Sequence, residues 1–153
     1  MPEAGDMKVA DILIVEDDPG DLNMMKRFME DSNFRNNIYE VMDGQEARDF
    51  LYQQNEYSDP EDAPRPDLIL LDLNLPKVDG RELLEEINND ESLRKIPVVV
   101  LTTSQEQTEI WKSYDIGAAS YIIKPVDMEQ FRETIQTLKR YWFQVVVFPE
   151  EEQ

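Results

Sequence analysis

Residues 68–80 read L-I-L-L-D-L-N-L-P-K-V-D-G. The apolar run at 68–73 is continuous enough to predict a strand covered on both faces, not one with a wet side. Asp72 interrupts that run near its end. Pro76-Lys77-Val78-Asp79-Gly80 then turns the chain into a helix expected over 81–89.

The same alternation continues in both directions. Residues 11–15 (D-I-L-I-V) predict a buried strand that runs into Glu16-Asp17-Asp18. A helix is expected over 21–31, with Leu22, Met25, Phe28 and Met29 on one side. A second strand at 38–42 and a helix at 45–54 burying Ala47, Phe50 and Leu51 precede residues 55–66. That stretch is rich in Pro, Asp and Glu and reads as an exposed loop. Beyond the quoted stretch come a strand at 97–101, a helix at 105–114 and a strand at 119–123. A last helix at 127–142 turns Phe131, Ile135, Leu138 and Trp142 inward. Strands alternating with helices in this way predict a parallel sheet with helices on both faces, an α/β doubly wound domain.

In such sheets ligands sit beyond the carboxyl ends of the strands. Three strands end in polar groups that a core does not need: Glu16-Asp17 after the first, Asp72 in the third, and Thr102-Thr103-Ser104 after the fourth. Lys124-Pro125 follows the fifth. Singly, each has an ordinary explanation. Asp17 or Asp18 could cap a helix, and Lys124 could lie along the surface with its head in water. Their arrival at one edge of one sheet is harder to explain that way. Several carboxylates in a partly buried site repel, so some protonate or a cation joins them. With oxygen donors alone on offer, that cation is hard and divalent, and Mg²⁺ fits best. A carboxylate beside Mg²⁺ can act as nucleophile towards phosphorus. Lys124 and Thr102 could then supply charge and a donor to the phosphoryl oxygens.

Composition sets the outer limits. The chain has 153 residues, 34 acidic and 15 basic side chains and a formal net charge of −19. That field repels phosphate backbones and anionic lipid, which argues against nucleic-acid and membrane partners. The surplus acid reads as a solubility surface, with adaptation to a salt-rich cytoplasm as the sharper alternative. The chain contains no cysteine and no histidine. Disulfides, thiol catalysis and imidazole chemistry are therefore excluded, and a reducing, cytoplasmic setting suits it. No secretory signal is expected at the N-terminus, and the apolar runs are strand-sized.

The quoted stretch, with I-L-I-V-E-D-D-P at 12–19, V-V-V-L-T-T-S at 98–104 and Y-I-I-K-P at 121–125, resembles the motif set of response-regulator receiver domains, the CheY-like superfamily. The resemblance implies a flavodoxin-like fold with strand order 2-1-3-4-5, and a receiver domain over 9–143 between tails at 1–8 and 144–153. Asp72 matches the phosphoacceptor of a two-component system. Glu16, Asp17, Asp72 and the backbone carbonyl of Asn74 match the Mg²⁺ site. Lys124 matches the lysine that pairs with phosphoryl oxygens, Thr102 the switch hydroxyl and Tyr121 the switch aromatic. Pro125 matches the partner of a cis Lys124–Pro125 bond. Glu16 departs from the commoner Asp at its position, and the 55–66 loop is longer than a minimal receiver needs.

The implied partner is a sensor histidine kinase. The long middle loop and L-D-L-N-L-P-K-x-D-G narrow the resemblance to single-domain regulators of bacterial phytochrome-type kinases. No output domain is expected after the receiver. The apolar 141–148 stretch would then pack on the domain itself or form a homodimer contact with the last helix. Two other functions stay open: a relay intermediate that passes phosphate to another protein, and a Mg²⁺-dependent phosphatase with an aspartate nucleophile. Against the latter, Asn74 stands where such enzymes usually carry a second acid. A degenerate receiver acting as a scaffold is disfavoured by the complete motif set.

Overall fold

The computed structural model describes residues 9–30, 35–75, 77–103, 117–124 and 128–142. In chain order these form β1 (Ala10–Val15), α1 (Pro19–Glu30), β2 (Asn36–Val41), α2 (Gly44–Leu51), β3 (Leu68–Asp72), α3 (Gly80–Asn89), β4 (Val98–Thr102), β5 (Ser120–Ile123) and α4 (Met128–Trp142). The five strands make one sheet of order β2-β1-β3-β4-β5, and every neighbouring pair is parallel. This is the flavodoxin-like arrangement the sequence implied.

Strand alternation explains why the apolar runs are continuous. Leu13, Val15, Ile69, Leu71, Val98 and Val100 face a core shared with α2 and α3. Ile12, Ile14, Leu68, Leu70, Val99 and Leu101 face a second core built on α1 and α4. Successive side chains point to opposite faces, so a strand covered on both sides is apolar along its middle, and polar residues fall at its ends. Leu22, Met25, Phe28 and Met29 are buried on α1, as the helical spacing predicts. Phe28 meets Phe131 of α4 edge to face at 4.7 Å, joining the two helices of that layer.

Several elements are shifted by one to three residues from their expected bounds. The first helix begins at Pro19, where proline suits the first turn, and the second ends at Leu51. Asp18 Oδ2 accepts from the Asp21 N–H (2.9 Å), so Asp18 closes the start of α1. Asp43 and Asp79 do the same for α2 and α3.

The 55–66 loop is a larger departure from expectation. Most of it is exposed, but it opens with a 3₁₀ turn at Asn55–Tyr57. Tyr57 packs against Phe50 at 5.3 Å, and Ala63 is wholly buried in the α2–α3 core. Arg65 donates to Ser92 through both terminal nitrogens (2.9 and 2.7 Å). Two small anchors and one guanidinium hold a segment whose composition is otherwise that of a free loop.

Gly80 brings the β3–α3 turn down onto the sheet. A Cβ there would lie 2.7 Å from Leu73 Cα, so only glycine allows the approach. Among the described residues no helix is long and apolar enough to cross a membrane. The expected helix at 105–114, Pro125 and its peptide bond, both tails and the side chains of Leu138 and Trp142 lie outside the described residues.

Candidate functional site

Because all five strands are parallel, their carboxyl ends lie along one edge. Val15 pairs with Leu71, Asp72 with Leu101, and Thr102 with Ile123. Glu16, Asp72, Thr102 and Lys124 are therefore brought together by register alone. Among the described residues, Glu16, Asp72 and Thr102 are the buried polar or charged ones, with exposures of 0%, 4% and 0%. Burying charge is costly unless it is paired, so their clustering is informative.

Lys124 supplies the pairing. Its Nζ lies 2.6 Å from Glu16 Oε1, 2.9 Å from Asp21 Oδ2 and 3.1 Å from Asp72 Oδ2. The side chain is withdrawn from water, so Lys124 is not the surface lysine that its sequence context allowed. Its backbone N–H donates to the Thr102 carbonyl at 2.7 Å, which fixes where the stem leaves the sheet. Burial alone would lower its pKa. Hydrogen bonds to Glu16 and Asp21, with the charge of Asp72, outweigh that and hold it above the ordinary lysine value.

Asp72 has a different partner on each oxygen: Oδ1 accepts from the Asn74 N–H (3.0 Å), and Oδ2 from Lys124. Glu16 is divided likewise, with Oε2 accepting from the Asp18 N–H at 3.2 Å. Burial and the neighbouring Asp72 push the Glu16 pKa up to about 7, against the pull of Lys124. The site therefore holds more negative charge than one ammonium offsets. Glu16, Asp17 and Asp72 each offer an oxygen, and these lie within 4.8 Å of one another. Oxygen donors in surplus suit a hard divalent cation such as Mg²⁺.

Thr102 and Tyr121 sit on adjacent strands. Alternation from Val100 sends Thr102 to the α2–α3 face, and Tyr121, opposite Val100, packs half-buried against the same core. Asp21 is the site residue that sequence reasoning missed. It stands in the first turn of α1, five residues after Glu16, where an acid is common on any helix and carries no signal of its own.

Comparison with known proteins agrees with this geometry. The model of the response regulator receiver domain family matches residues 12–136. Response regulator Rcp1 of Synechocystis sp. is 40% identical over 90% of this chain and 92% of its own length. The Mn²⁺-bound form of Rcp1 superposes with a TM-score of 0.72, at 39% identity over 90% of this chain and 96% of that one. The bacteriophytochrome response regulator RtBRR gives 0.79, at 41% identity over 86% of this chain and 78% of that one. The phosphorylated cyanobacterial phytochrome response regulator RcpA gives 0.71, at 41% identity over 89% and 93%. Motifs, sheet order, strand-end chemistry and relatives converge: the chain belongs to the response regulator receiver domain family.

Proposed function

We propose that this receiver is a phosphorylation switch whose acceptor is Asp72. A carboxylate oxygen of Asp72 attacks the phosphorus of a phosphohistidine on a sensor kinase. The O–P bond forms as the P–N bond breaks, and the imidazole leaves with the electron pair. The observation that carries this reading is Asp72 itself. It is nearly buried, oriented through one oxygen by Asn74 and through the other by Lys124, with oxygens of Glu16 and Asp17 close by.

Glu16, Asp17, Asp72 and the Asn74 carbonyl would hold Mg²⁺, which when bound supplies positive charge against the carboxylates and the phosphoryl oxygens. The Mn²⁺-bound form of Rcp1 supports a divalent ion in this family. Lys124 pairs with a phosphoryl oxygen. The Thr102 hydroxyl turns to donate to another, and Tyr121, on the same face, turns inward behind it. The surface around β5 changes shape accordingly, which alters binding of a partner or a second subunit. The phytochrome relatives support a phytochrome-type histidine kinase as the phosphate donor, and a chain without cysteine suits a reducing cytoplasm.

The test uses acetyl phosphate or beryllofluoride with Mg²⁺. Wild-type protein is expected to gain hydroxylamine-labile phosphate and to bind beryllofluoride, and Asp72→Asn to do neither. A wild type that does neither overturns the proposal.

A further inference from the structure

An ammonium has three N–H donors. Lys124 directs its ammonium at three carboxylates, those of Glu16, Asp21 and Asp72. Two of these partners change when the site works. Asp72 becomes an acyl phosphate, and Glu16 is a candidate ligand for the cation. Asp21 does neither, since it lies outside the oxygen cluster of Glu16, Asp17 and Asp72. It rides on α1, whose first turn is closed by Asp18 and whose inner face is buried. Of the three carboxylates it is the most exposed, at 35%.

The lysine stem explains why such a partner matters. The hydrogen bond to Thr102 fixes the Lys124 backbone, while four methylenes separate it from the charge. Once Asp72 is phosphorylated and Glu16 is engaged elsewhere, Asp21 is the remaining one of the three carboxylates that keeps the tip in place.

We infer that Asp21 is a positioning residue, a tether that keeps the Lys124 ammonium aimed at the phosphoryl group through the reaction. This rests on the reading of Asp72 as phosphoacceptor. A plain structural role is the competing explanation: an acid at the start of α1 favours the helix whatever Lys124 does. The two differ in coupling, because a tether has no effect once its lysine is gone.

The experiment is a double-mutant cycle on the initial rate of incorporation of radiolabelled phosphate from acetyl phosphate at saturating Mg²⁺. Asp21→Ala is expected to slow wild type about tenfold, since small misplacements of a reacting group have effects of this order. Asp21→Asn keeps an acceptor oxygen and is expected to stay within about threefold of wild type. In the Lys124→Met background, Asp21→Ala is expected to change nothing. If the alanine chain does not fold, Asp21→Ser takes its place in the cycle. An Asp21→Ala rate equal to wild type, or the same slowing with and without Lys124, overturns the tether while leaving Asp72 as acceptor. A wild type that takes no phosphate overturns both.

Discussion

Glu16 and Lys124 stand 108 residues apart in sequence and 2.6 Å apart in space, and their pair is closed to water on both sides. The attraction is strong in that setting, yet it does not bring Glu16 back to an ordinary carboxylate pKa. Burial and Asp72 outweigh one ammonium. The resting site is thus a charged cluster with an unpaired surplus, and its properties should depend on protons and cations.

The first consequence is a pH dependence of stability. Glu16 titrates near 4.5 when unfolded and at about 7 in the fold, so the folded state binds more protons between those values. Its contribution is full below the unfolded pKa and is lost as pH rises through the folded one, an effect on the order of 3 kcal/mol. Urea unfolding of wild type and Glu16→Gln across this window should show the wild-type advantage shrinking as pH rises. A constant difference would contradict the assignment.

Cation binding should run the other way. A metal ligand must be deprotonated, so Mg²⁺ has to displace the proton from Glu16 below about pH 7. Calorimetry in buffers of different ionisation enthalpy should detect up to one proton released per Mg²⁺ at pH 6, and almost none at pH 8. Mg²⁺ should also raise the melting temperature, and EDTA should reverse the gain.

Asp72 and Lys124 should move Glu16 in opposite directions. Asp72→Asn removes a repelling charge and should lower the Glu16 pKa. Lys124→Met removes the attracting one and should raise it further. Carbonyl ¹³C chemical shifts of Glu16 across a pH titration read both changes.

Packing away from the site should respond as a core does. Phe131 is wholly buried and meets Phe28 across the α1–α4 layer. Phe131→Ala should lower unfolding free energy by about 3–5 kcal/mol, measured by urea denaturation.

Gly80→Ala tests the turn that carries the chain away from Asp72. The added methyl would meet Leu73 Cα at 2.7 Å and the Asp72 carbonyl at 2.9 Å, both backbone atoms. A loss of about 1–3 kcal/mol is expected. Slower phosphorylation than in wild type should accompany it, because Asn74, which orients Asp72, lies in the same turn.

Much of this architecture is legible in the chain. The unbroken apolar runs at 12–15, 68–71 and 98–101 require cover on both faces, and alternating helices supply it. A parallel sheet then sends Glu16, Asp72, Thr102 and Lys124 to one edge, because parallel strands all end on the same side. Those conclusions need only local periodicity and the direction of the chain. The loop at 55–66 shows the limit of such reasoning: its composition is that of solvent-exposed chain, and the burial of Ala63 comes from its packing into the α2–α3 core.

Lys124 marks the same boundary at the site. Sequence placed it at the right strand end, but left open whether its charge met water or carboxylate. Tertiary structure decided that, and it added Asp21, 103 residues away, as a partner no motif announced. The physical reason is reach. A lysine head lies several bonds from its backbone, so its partners depend on which helix turn packs against the sheet edge, and that is settled only when the two cores close around the strands.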